Sequence, residues 1–121
     1  MTISGLDFVA LQVRDLDRSA AFYEKECGLK RAPFSPPHAI VYATEPLPFA
    51  LRERLPSVDL DAGPAGLGAA LWMLADDSAA LHESLVAHDV TIASAPLDGP
   101  FGLTFSFVDP DGYIVTVHNN V

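Results

Sequence analysis

An α+β fold, built from one βαβββ module used twice, is predicted by three observations on this 121-residue chain. Strand-like and helix-like segments recur in the same order in both halves. Each half opens its helix on an aspartate, Asp15 and then Asp77, 62 positions apart. A glycine- and proline-bearing stretch, DLDAGPAGLG, separates the halves. The expected organisation is a single domain over 1–121, with a first module at 5–58, a linker at 59–68 and a second module at 69–121.

Each element has its own warrant. LDFVALQV, residues 6–13, is strand-like, and RDLDRSAAFYEKECGL follows with Asp15 or Asp17 as helix N-cap. Leu16, Ala20, Tyr23 and Cys27 recur at helical spacing, and Gly28 ends the helix. RAPFSPP is a proline-broken strand, and HAIVYATE and PFALRER are two further strands joined by the turn EPLP. The order then restarts. AALWMLAD is a strand, DSAALHESLVAHD a helix carrying Leu81 and Leu85, and VTIASA, LTFSFVD and YIVTVHN are strands, the last two joined by an Asp-Pro-Asp-Gly turn.

The bulk numbers exclude several classes. Half the residues are apolar and 19% are charged, a globular composition long enough to bury a core without staples. A net charge of −9 repels phosphate backbones and anionic lipid, so neither nucleic acid nor a membrane surface is an expected partner, and a cationic ligand is favoured. Cys27 is the only cysteine, which rules out an internal disulfide and a thiolate zinc cluster. No stretch approaches a membrane span and no signal peptide opens the chain, so a reducing, cytoplasmic location is expected. Nucleophile-elbow, phosphate-loop and zinc-protease motifs are missing, and Asp76, Asp77, Asp109 and Asp111 suit caps and turns better than acid–base chemistry.

VRDLDRSAAFYEKECGL and PFGLTFSFVDPDGYIV together resemble the opening and closing motifs of the vicinal oxygen chelate superfamily. That family includes glyoxalase I, extradiol dioxygenases and bleomycin resistance proteins. The resemblance covers nearly the whole chain. It implies that each module curls into a half-barrel of curved mixed sheet, that the pair encloses a cavity, and that a homodimer completes it. Members of the family share the scaffold and differ in chemistry.

Metal-using members hold a divalent ion through His, Gln or Glu, and the resemblance locates those positions here. Seven residues before Asp15 stands Phe8, seven before Asp77 stands Ala70, seven after Asp109 stands Thr116, and the fourth position falls near Ala50. None carries the expected ligand, so no metal and no other cofactor is expected. The histidines do not rescue one. His82 and His88 are six apart on a helix, about 240° around its axis, and do not chelate together. A shifted centre on His38 and His118 would need further ligands, with Glu53 the nearby candidate. A single histidine on a strand is more often a hydrogen-bonding pocket residue.

Strand alternation places Phe8, Ala10 and Gln12 on one face of the first strand and Ala70, Trp72 and Leu74 on the matching face of the second module. Ile40 and Tyr42, with Thr104 and Ser106, are expected to share that inner face, while Val41, Phe105 and Phe107 face the helices. Ile114, Thr116 and His118 share one face of the closing strand, and Arg52 takes in the first module the place of His118 in the second. The candidate ligand-binding residues are therefore Phe8, Gln12, Tyr42, Arg52, Trp72, Ser106, Thr116 and His118, an apolar and aromatic set with a few polar groups.

The function this implies is metal-free binding of a small aromatic, preferentially cationic molecule, similar to bleomycin-type antibiotic resistance proteins that sequester drugs. Two alternatives stand beside it. One is a glyoxalase- or dioxygenase-type enzyme, with His118 as general base and a shifted metal or none. The other is a dimeric scaffold whose cavity is filled by Trp72 and Phe8.

Overall fold

The structure is a computed structural model that describes residues 1–119; residues 120 and 121, with which the second expected module ends, lie outside the described residues. It divides into two compact units, Met1–Leu60 and Asp61–Val121, with the boundary inside the stretch read as a linker. Among the described residues no helix is long and apolar enough to cross a membrane.

In the first unit the elements are β1 (Val9–Val13), α1 (Leu16–Lys25), β2 (Ala39–Tyr42) and β3 (Phe49–Glu53). The sheet order is β1-β3-β2, with β1 parallel and β2 antiparallel to the central β3. Asp15, not Asp17, caps α1: it holds an extended backbone (φ −135°, ψ 103°) and its carboxylate accepts from Arg18 N at 3.1 Å. Gly28 stops the chain at φ 74°, where a side chain would be strained. Ala20 and Tyr23 are buried on the sheet side of α1, with the Tyr23 ring 5.2 Å from that of Phe49. Val13, Ile40, Tyr42 and Leu51 complete this core.

The second unit repeats the order with β4 (Leu71–Leu74), α2 (Ser78–Ala87), β5 (Ile92–Gly99), β6 (Gly102–Val108) and β7 (Ile114–His118). Its sheet runs β4-β7-β6-β5; β4 is parallel to β7, and the other neighbours are antiparallel. Asp77 caps α2, accepting from Ala80 N at 3.0 Å. Leu85, Phe105, Phe107, Val115 and Val117 are buried, and the His82 ring packs 5.2 Å from that of Phe105. The closing turn is fixed by Asp109, which is buried and whose Oδ1 accepts from the backbone N–H of both Asp111 and Tyr113 at 2.9 Å, with Gly112 at φ 96°.

The units differ at one edge. RAPFSPP, expected as a strand, contributes only the isolated bridge Arg31↔Tyr42, because Pro33, Pro36 and Pro37 offer no N–H to extend a ladder. The corresponding β5 is a full edge strand. It tolerates Pro96 by shifting register between Ser94 and Leu97.

Candidate ligand-binding face

The sheet of the second unit buries one face under α2 and leaves the other open at Trp72, Leu74 and Ile114, with Ser106 on that face buried at 7% exposure. Alternation turns Phe105, Phe107, Val115 and Val117 toward the core, so Thr104, Ser106, Ile114, Thr116 and His118 stand on the opposite face with Trp72 and Leu74 of β4. Trp72 pairs with Thr116, which pairs in turn with Ser106, and Leu74 pairs with His118. Large apolar side chains on this face are exposed: Trp72 at 50%, Leu74 and Ile114 at 56%.

Three rings meet there. Trp72 lies 5.6 Å from Phe101 and 5.9 Å from His118, and Phe101 lies 5.8 Å from His118, all with steep interplanar angles of 63–69°. Edge-to-face geometry of this kind suits the quadrupoles of the rings. In the register row of Trp72, next to that of His118, the Ser106 and Thr116 hydroxyls share a hydrogen bond of 2.9 Å. His118 Nδ1 is buried without a hydrogen-bond partner among the described residues, whereas Nε2 is not enclosed in this way.

Of the residues selected from the sequence, Trp72, Ser106, Thr116 and His118 thus come together on one face. Phe101 joins them from outside the set the sequence predicts. It sits where β5 turns into β6, outside any strand, so alternation says nothing of its direction; the signal was its place in the aromatic-Gly stretch PFGLTF.

The other four lie in the first unit. Phe8 precedes β1 and is more than half exposed. Gln12 and Arg52 pair across β1 and β3 on the face away from α1. The Gln12 carbonyl accepts from Leu55 N at 2.9 Å, and Arg52 Nε donates to the backbone carbonyl of Glu53 at 3.1 Å. Tyr42 corrects the expectation. It pairs with Phe49, stacks on it at 6.2 Å and is fully buried toward α1, where its hydroxyl donates to Glu24 Oε2 at 2.9 Å.

The reason is a register of one residue. Tyr42↔Phe49 in the first sheet corresponds to Phe107↔Val115 in the second, so Ile40 and Tyr42 match Phe105 and Phe107, and Val41 matches Ser106. Ile40 and Tyr42 therefore face the helix and Val41 the open side. Arg31 also donates to Glu24, at 3.1 Å from Nε, which gives Tyr42 a charged partner network. Burial foremost, and then the bond to Glu24, lifts the Tyr42 phenol far above its ordinary range.

The side chains present do not fit the divalent metal that some relatives of this fold use. Thr116 has a hydroxyl already engaged by Ser106, while Phe8, Ala50 and Ala70 offer no donor at all. His38 and Glu53 do pair, Nδ1 to Oε2 at 2.9 Å, but both are exposed. Among the described residues no three His, Cys, Asp or Glu side chains are grouped to hold an ion.

This doubled scaffold, with one helix per sheet, defines the fold class of the chain. The profile of the Glyoxalase/Bleomycin resistance protein/Dioxygenase superfamily matches residues 5–117, and the chain belongs to that superfamily. No curated protein matches it significantly. Among solved structures, an integron cassette protein from the mobile metagenome of V. cholerae is 27% identical with a TM-score of 0.71, over 100% of this chain and 98% of its own. TnmS3, an antibiotic-binding protein from a Streptomyces species, is 23% identical with a TM-score of 0.76, over 100% and 99%. FosX, a fosfomycin resistance protein from Listeria monocytogenes in complex with Mn(II) and a dihydroxypropylphosphonic acid, is 19% identical with a TM-score of 0.72, over 99% and 93%. At such identities the last two share the fold.

Proposed function

We propose that this chain is a metal-independent small-molecule-binding protein that acts by sequestration, taking a planar aromatic guest, preferentially cationic, on the open face of its second unit. The observation that carries this reading is the coincidence on one face of three exposed or half-open rings, Trp72, Phe101 and His118, with the Ser106–Thr116 hydroxyl pair. An apolar aromatic wall with a few polar groups is the usual make-up of a small-molecule site. The net charge of −9 favours a cation. An antibiotic-binding protein of the same fold lends the reading a precedent. Gln12 and Arg52 serve the first unit's open face, and Tyr42 serves its core. We further propose a cytoplasmic homodimer, since the edge strand β5 with its exposed Leu97 offers sheet edge and apolar surface of the kind a partner covers.

Trp72 is the only tryptophan, so its emission reports on a single site. Titration with planar cations should change that emission, and Trp72→Ala should weaken binding by about 1–3 kcal/mol through lost stacking area. Elemental analysis of protein prepared without chelator should find no stoichiometric divalent metal. About one equivalent bound per chain overturns the metal-independent reading. A second reading, an enzyme of glyoxalase or dioxygenase type with His118 as base, draws on the same imidazole. Catalytic turnover of a bound probe, in place of its retention, would identify it.

A further inference from the structure

We propose that His118 sets the ligand specificity of this face by donating a hydrogen bond from Nε2–H to an acceptor oxygen on the rim of the planar guest. The inference rests on the binding reading above and adds to it the chemical feature the guest must carry. His118 Nδ1 is buried with no hydrogen-bond partner among the described residues, whereas Nε2 is not such an atom and makes no hydrogen bond among them, which leaves it open to solvent. A neutral imidazole carries one proton on its two nitrogens. Leaving an N–H buried without an acceptor forfeits a hydrogen bond that water would have supplied, so the proton belongs on the nitrogen that still meets solvent.

The open nitrogen is then a donor and not an acceptor. Trp72 and Phe101 stand edge-to-face against the His118 ring at 5.9 and 5.8 Å, which fixes the plane of the imidazole and the direction of its N–H. A guest lying against Trp72 meets that N–H at its edge. A carbonyl there completes the bond, and a C–H leaves the donor dry. A site built to hydrogen-bond one group rejects the analogue that lacks it more strongly than an apolar wall rejects a change of size.

N-methylacridone and N-methylacridinium share one tricyclic skeleton and differ in a ring carbonyl against a ring C–H with positive charge. Both are titrated by Trp72 emission into the full-length wild type and into His118→Phe, which keeps a flat ring beside Trp72 and removes the N–H. N-methylacridone should lose roughly three- to tenfold in affinity in His118→Phe, and N-methylacridinium should be unchanged within about twofold. Equal effects on the two probes, or none on N-methylacridone, overturn the inference and leave the binding reading standing. Binding of neither probe to the wild type overturns both. A measurement on the wild type alone keeps the test open should the variant fail to fold. Nitrogen-15 NMR of the histidine ring should show Nδ1 unprotonated and Nε2 protonated, with the Nε2 resonance moving on addition of N-methylacridone. A neutral ring that carries its proton on Nδ1 in the free protein contradicts the proposal directly.

Discussion

On the strand flanking the centre of each sheet, Ala10 in the first unit and Trp72 in the second occupy the same place, facing Ala50 and Thr116 respectively across a parallel pair. The next central-strand residue on that face is Arg52 in one unit and His118 in the other. Behind the sheets the contrast reverses. The first unit buries a phenol, Tyr42, held by Glu24 and through it by Arg31, where the second buries the plain ring of Phe107. The first unit thus buries a polar group, the Tyr42 phenol, on its helix side and satisfies it internally. The second sets the His82 ring against Phe105 and buries the Ser78 hydroxyl on its helix side, and carries Ser106, Thr116 and His118 on the other face, where one His118 nitrogen has no partner among the described residues. A duplicated scaffold can specialise in this way because strand alternation separates the face that holds the unit together from the face that does not.

The sharpest way to break that comparison lies within the second unit's sheet. Phe105 is buried under α2, and Phe105→Ala should cost about 3–5 kcal/mol through transfer and cavity terms. Trp72 stands on the opposite face and is half exposed, so Trp72→Ala should cost less than about 1.5 kcal/mol of stability while removing the stacking surface. Urea denaturation of the two variants reads both numbers. A Trp72→Ala protein as damaged as Phe105→Ala would make Trp72 a core residue and remove the open face as a binding wall.

A reciprocal exchange tests the helix side. Tyr42→Phe should cost about 1–2 kcal/mol, the lower part of the range for a hydrogen bond to a charged group, because Glu24 is partly exposed. Phe107→Tyr introduces a hydroxyl at the matching site and should cost about 1–3 kcal/mol for lack of a carboxylate to receive it. Equal tolerance of both exchanges would mean that the phenol of Tyr42 is incidental.

Much of this was legible in the sequence. The doubled element order and the two aspartate caps gave the scaffold, because N-cap chemistry and period-2 alternation are local properties. That Trp72, Ser106, Thr116 and His118 share one face of the second sheet followed from the same alternation. Two features were out of reach. The direction of Ile40 and Tyr42 depends on the register of a hairpin whose turn, EPLP, does not announce its length, and a one-residue slip reverses every side chain. Phe101 projects from a turn, where no period applies, and only the tertiary fold brings it to Trp72 and His118.

The caps should behave alike where the faces differ. Asp15 and Asp77 adopt nearly the same backbone and each accepts one N–H three residues on, at 3.1 and 3.0 Å. Asp15→Ala and Asp77→Ala should each lower stability by about 1 kcal/mol in denaturation experiments. A loss confined to one of them would show that the two helices are not held by equivalent means.

The smallest effect is a dependence on acid that only the first unit's network should produce. The Arg31 hydrogen bond foremost, with help from Tyr42 and against a partial desolvation, holds the Glu24 carboxyl below its ordinary value of 4.5. Near that value the unfolded chain binds more proton than the folded one, so the contribution of Glu24 is complete above 4.5 and fades as pH falls through the lowered folded value. Denaturation midpoints of the wild type and Glu24→Gln, followed from about pH 6 to about pH 3, should therefore draw together in acid. Because the Glu24–Arg31 pair lies at the surface, roughly 1 M salt should shrink the difference at the upper end as well. Glu24→Gln in a Tyr42→Phe background separates the two partners: what survives there is owed to Arg31, and what disappears was the phenol. A gap that stays constant across the acid range would mean that Glu24 gains nothing from Arg31 on folding, and that the first unit's core is held by Tyr42 packing on Phe49 and not by its charged cap.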